Sequence, residues 1–173
     1  MNLNSLTLQQ GAAAGGLIVL LQLVAYLMGV EMLISPWLGA GRFIVVVAAM
    51  LMACVAVRKD EGSLSYGRAV WESWVAGALA SLLGVLFMIV MVTFDSQLAS
   101  NLLDATMIQM KASLGGFAKS MGGDMMKQVE DQTKWMLQPA GQLLAWAIGL
   151  VMWLMIAAIV GAIGKRPNPQ SIR

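Results

Sequence analysis

An all-α integral membrane bundle of four transmembrane helices, with an extracytoplasmic helical hairpin between helices 3 and 4, is predicted by three observations. Four long apolar runs carry almost no charge, the basic residues concentrate at one set of connections, and the one long connection bears a helical apolar stripe. Composition agrees, with 59% hydrophobic and 12% charged residues and a mean hydropathy of +0.76. Soluble domains carry about a quarter charged residues. The chain reads as a single membrane domain, 1–173, with spans at about 11–34, 38–57, 71–94 and 137–164 and an extracytoplasmic helical segment at 95–136.

A spanning helix needs about 20 predominantly apolar residues at about 1.5 Å each. No charged residue precedes Glu31, and Gly11 to Ile34 is long enough to span. Met1 to Gln10 lacks Lys and Arg, and the apolar run exceeds the roughly 7–15 residues of a signal h-region, so it reads as a retained first span. Phe43 to Val57 is free of charge but short, and it spans only if Leu38 to Gly41 join it and Arg42 snorkels to the headgroups. Glu31 and Arg42 bracket the Ser35-Pro36 turn, and their opposite charges at similar depth predict a pair across this hairpin. Ser73 to Phe94 and Trp135 to Gly164 are uncharged third and fourth spans. The single cysteine, Cys54, falls inside the second span, where it reads as a small packing residue and leaves no disulfide framework.

Orientation follows from the cations. Arg58, Lys59 and Arg68 fill the short link between spans two and three, and Lys165, Arg166 and Arg173 the C-terminal tail. The positive-inside rule makes both termini cytoplasmic. The other side holds Arg42 together with Lys111, Lys119, Lys127 and Lys134, the four lysines diluted over the long 95–138 connection.

Within that connection Leu98, Leu102, Leu103, Met107, Met110, Leu114 and Phe117 recur at steps of three and four, with Asp95 or Ser96 placed to cap the start. Glycines at 115–116 and 122–123 interrupt the pattern. Asp124 then reads as the N-cap of a second arm whose Met125, Met126, Val129, Thr133 and Met136 share a face, leading to Trp135 at the interface. Neither arm can bury its stripe alone, so Leu102, Met107, Met110, Met125 and Val129 form the candidate interaction surface.

Small residues recur four apart within the spans: Gly11 and Gly15, Ala12 and Gly16, Ala76, Ala80 and Gly84, Gly77 and Ser81, and Gly149, Ala157 and Gly161 around Trp153. Such faces let helix backbones approach, either inside one bundle or between copies. Polar groups in the spans are few. Glu72 lies one turn inside span three and four residues after Arg68, so it either pairs with Arg68 or faces a cavity as a proton or cation site. Gln22 and Gln142 are read as hydrogen-bonding between helices. These four residues make up the candidate intramembrane polar site.

The chain has 15 methionines and no histidine. Thioether clusters suit Cu(I), and Met107 with Met110, or Met121 with Met125 and Met126, have helical spacing. Each also falls on an apolar stripe where Met is ordinary filler, so no metal or cofactor is expected. Without His, a Cys or Ser beside a base, or a phosphate-binding loop, no catalytic residue is assigned and the chain reads as not an enzyme.

The link Ser63-Leu64-Ser65-Tyr66-Gly67-Arg68-Ala69, the glycine-containing span after it, Thr93-Phe94-Asp95 opening a Met- and Lys-bearing segment, and a Pro-led last span ending in Lys165-Arg166 resemble the family catalogued as domain of unknown function 4199. The resemblance covers nearly the whole chain. It implies a four-span bundle in a Gram-negative bacterial inner membrane and brings no catalytic residues to carry over.

Two functions fit this pattern. The first is an accessory or scaffold protein acting through protein contacts at the outer hairpin. The second is a small transporter or channel subunit using Glu72 and the intramembrane glutamines. A solute path normally leaves more polar residues along its spans, which favours the first. The expected partners are the lipid bilayer and either another protein or a second copy, and a net charge of +2 gives no reason to expect nucleic acid.

Overall fold

The computed structural model describes residues 4–95, 97–114 and 123–165. Those residues are all-α, with no strand among them. Four of the helices are long and apolar enough to cross a membrane. They are α1 (Ser5–Met28), α3 (Pro36–Glu61), α4 (Tyr66–Phe94) and α7 (Pro139–Gly164). Three shorter helices complete the chain: α2 (Val30–Leu33), α5 (Leu98–Leu114) and α6 (Gly123–Leu137).

Local chemistry sets the ends. The Asn4 side chain accepts from the Leu6 amide at 2.9 Å, so α1 starts at Ser5, ahead of the apolar run at Gly11. It stops at Gly29, whose φ of +118° suits only glycine. The Gly29 amide donates to the Ala25 and Tyr26 carbonyls, and the apolar residues beyond form the separate turn α2. Ser35 caps α3 and Pro36 occupies its first position, where a missing amide costs nothing. Helix α3 then outruns its apolar stretch to Glu61, with Arg58 and Lys59 in the last turn and left-handed Gly62 (φ +71°) closing it.

The four long helices run alternately up and down. Helix α4 is the hub, packing along α1 on one side and α7 on the other, with α3 against α1 and α4. Glycines hold these contacts close, as small faces do between spans. A Cβ at Gly84 would lie 2.7 Å from Ile18 Cγ2, and one at Gly15 would lie 2.8 Å from Leu83 Cβ. At Gly161 it would lie 2.9 Å from the Val70 backbone nitrogen. Gly16 and Gly149 have nothing within 4 Å, so those parts of the small-residue pattern face away from the bundle.

Asp95 organises the end of the bundle opposite the α1 N-terminus. Its carboxylate accepts from the Gln97 and Leu98 amides, capping α5 as the sequence suggests, and from the Tyr26 hydroxyl at 2.9 Å. Ser96, the alternative cap, lies outside the described residues, as do Phe117, Lys119 and Met121. Helix α5 packs against α2, α4 and α6. Asp124 is not the cap of α6, which begins at Gly123; it sits in the first turn, where its charge still suits the helix dipole. Only Gln138 separates α6 from α7, and Gly141 packs directly against the Trp135 carbonyl at this corner.

Candidate functional site

The four polar residues predicted to share a site divide between opposite ends of the bundle. Thr7 and Gln22 mark the two positions on one face of α1, roughly 22 Å apart at about 1.5 Å per residue.

At the end formed by the α1 N-terminus, Glu72 is fully buried. Thr7 Oγ1 donates to Glu72 Oε2 at 2.6 Å. Arg68 Nε lies 3.5 Å from Glu72 Oε1, an ion pair by distance, yet that oxygen has no hydrogen-bond partner among the described residues. The Arg68 guanidinium spends its closer contact on Glu61, at 2.7 Å from Nη2 to Oε1. Asn4 Nδ2 reaches Asp60 Oδ2 at 3.5 Å. The cluster joins α1, α3 and α4, with its Arg68–Glu61 side half-exposed, and at the same end of the bundle Leu64, Cys54 and Ser73 are fully buried. The pairing with Arg68 that the spacing predicts is present by distance, but Glu72 itself is fully buried and its second oxygen is bonded by Thr7, ahead of the apolar run. Cys54 is buried, with Sγ 2.9 Å from Ser73 Oγ, a packing residue held by a weak polar contact.

A close-packed waist follows toward the other end. Met50, Ala53, Ala76 and Ala80 have no exposure, and Met50 occupies the space left by Gly77.

Beyond the waist the bundle opens. A cavity of about 270 Å³ is lined by Gln22 from α1, Arg42 from α3, Met88 from α4, Met136 from α6, and Gln142 and Trp146 from α7, with apolar residues between them. Gln142 Nε2 donates to the Leu137 carbonyl at 2.9 Å across the α6–α7 corner, and the Trp146 indole donates to Ser81 Oγ at 3.1 Å. The Gln142 bond is local, to a residue five positions back within the span expected at 137–164, and does not join two spans. Gln22 makes none either: it is 2% exposed and its Oε1 has no partner among the described residues. Arg42 also borders a second cavity of about 240 Å³, beside Phe43, Ser81 and Trp153. The expected Glu31–Arg42 pair is not formed, because Glu31 is exposed while Arg42 turns into the bundle. Among the described residues, salt bridges join only Arg68 to Glu61 and Glu72.

The candidate interaction surface also divides. Leu102 is 2% and Met107 7% exposed, so α5 has spent much of its stripe inside the chain. Met110 and Val129 are half-buried, and Met125 is 51% exposed.

Thr7 and the inward turn of Arg42 escape a reading by apolar runs. A helical-face reading finds the first, since Thr7, Gly11, Gly15, Ile18, Gln22 and Ala25 are the buried residues of α1 at steps of three and four.

Comparison with curated proteins and with solved structures finds no match. A family model described as "Protein of unknown function (DUF4199)" matches residues 9–166, a stretch holding all of α3 to α7 and most of α1. The chain therefore belongs to the DUF4199 family, the one its link and span-end motifs resemble.

Proposed function

We propose that the protein is an accessory or scaffold protein of a bacterial inner membrane, with both termini cytoplasmic and α5 and α6 forming an extracytoplasmic helical hairpin that docks another membrane protein. The observation that carries this reading is α6. None of its 15 residues is buried, although Met125, Met126, Val129, Thr133 and Met136 share a face. The described residues cover the apolar face of this amphipathic helix only in part, with Met126, Val129 and Thr133 half-buried and Met125 and Met136 exposed, which leaves apolar surface for lipid or another protein. The orientation rests on Arg58, Lys59, Arg68 and Lys165, which gather at the end where α1 begins.

The transporter reading has Glu72 at one end and Gln22 with Gln142 at the other, which would suit an alternating path. Its difficulty is the waist between them, closed by side chains without exposure.

Affinity purification from the native membrane in mild detergent tests the docking role. Met125→Ser and Val129→Ser should lose a stoichiometric protein partner while keeping the unfolding midpoint of the parent. A loss of midpoint places the face inside the chain, and variants that lose neither place it on lipid; either result removes the scaffold reading.

A further inference from the structure

Helices α1 and α3 leave an open groove of about 290 Å³ between them on the outside of the bundle. Ala13 and Ala14 line its middle from α1 and Ala48 and Ala49 from α3, while the exposed side chains of Leu17, Ile44 and Met52 border it. Because the two helices are antiparallel, Leu17 and Ile44 mark its mid-bundle end, and Gln10 and Met52 the end where α1 begins. We infer that this groove seats one hydrocarbon chain of a phospholipid whose phosphate is met by Lys59.

Dimensions choose a chain over a helix. From Ile44 to Met52 is about 12 Å along α3, close to the roughly 15 Å of hydrocarbon in one leaflet and far short of a full span. Spread over that length, 290 Å³ gives a track about 24 Å² in section, or about 5 Å across. A hydrocarbon chain, whose carbons pack at about 3.5–4.0 Å, fits it. A second helix, about 10 Å across with its side chains, does not.

Polarity changes along the groove in the order a phospholipid requires. The mid-bundle half is apolar throughout. Gln10, the one polar residue lining it, lies about 8 Å from the first residue of α1, near the depth where chains give way to ester groups, and its amide can donate to an ester carbonyl. Lys59 stands seven residues after Met52, two turns on along the same face of α3 and about 10 Å beyond the groove. It is exposed and, among the described residues, in no salt bridge, while Asp60 beside it is turned to Asn4 at 3.5 Å. An exposed lysine alone selects no position for a lipid; the groove leading to it does. The inference stands whether or not α6 docks a partner, and in either orientation of the chain.

The test uses the full chain, delipidated in one detergent, with phosphatidylglycerol or soluble glycerol phosphate added. The lipid should raise the unfolding midpoint, since a ligand bound by the folded state stabilises it, and glycerol phosphate should not. Ala13→Leu combined with Ala48→Leu fills the track from two exposed positions, without overpacking the bundle, and should abolish the shift. Ala147→Leu, on the exposed face of α7, should keep it. Lys59→Gln should weaken the apparent affinity about fivefold, the effect of removing one cation from a phosphate surface. Protection by glycerol phosphate, or a shift that survives the double substitution, overturns the proposal. A dimeric parent that the double substitution makes monomeric gives the groove to a second copy and overturns it too. Should the double variant fail to fold, Lys59→Gln decides, because it changes only an exposed charge, and an unchanged affinity then overturns the proposal.

Discussion

Gly149 and Gly161 lie on the same helix, so alanine at each isolates one physical effect. At Gly161 the added Cβ would sit 2.7 Å from Val70 Cγ2, 2.9 Å from Val70 N and 3.1 Å from Val70 Cα. Ordinary contact begins at 3.4 Å, and a backbone nitrogen cannot rotate aside, so α4 and α7 must separate by several tenths of an ångström. Overpacking of this kind costs about 1–3 kcal/mol. At Gly149 nothing lies within 4 Å, so there is no clash. Both alanines gain the same helix propensity, up to about 1 kcal/mol. Because that gain is common to both, the difference between the variants is the packing cost alone. At about 2–4 °C per kcal/mol for a chain of this size, Gly161→Ala should melt roughly 2–12 °C below Gly149→Ala. Thermal unfolding of both in one detergent gives the comparison directly. Equal midpoints would refute the packing of α7 on α4. A Gly149→Ala protein less stable than its parent would show that another chain covers that face.

Two further outcomes follow from the end where α1 begins. Arg68→Met strips the buried Glu72 of its cation and should cost about 2–4 kcal/mol, while Glu61→Gln, on the half-exposed side, should cost about 0–1 kcal/mol. Adding Glu72→Gln to Arg68→Met should recover much of the loss, and a double variant as unstable as the single would argue against the pair. For the orientation, cysteines placed at exposed Lys59 and Lys127 in a Cys54→Ala background report on opposite sides. Lys127 should react with an impermeant thiol reagent on spheroplasts and Lys59 only after lysis; the reverse pattern inverts the topology.

The four long helices were legible because run length and charge exclusion can be read from neighbouring residues without knowing what packs on them. Their ends were less so. Helix α1 starts at Ser5 because polar residues can continue a capped helix, which hydropathy does not register. It stops at Gly29 because of a backbone angle, and a glycine between Met28 and Val30 looks like any other member of an apolar run. The divided polar site has the same origin. Gln22 and Gln142 were recognised by type, but depth along the chain order alternates from helix to helix, so Glu72, early in α4, falls far from Gln22, late in α1.

Arg42 shows what a face adds to a run. As the residue flanking a short apolar stretch, it has the pattern of a snorkelling charge on the way to the headgroups. The buried residues of α3 are Val46, Ala49, Met50, Ala53, Cys54 and Val57, and Arg42 stands one turn before Val46 on that same face. Extending the stripe backward therefore directs the side chain into the bundle, where α7 begins and the waist has ended. The acid that could have neutralised it, Glu31, sits on α2 after the break at Gly29 and remains exposed. The same glycine that ends α1 thus removes the counter-ion from the chamber, leaving Arg42 facing Gln22 and Gln142 with no charge of its own chain to meet.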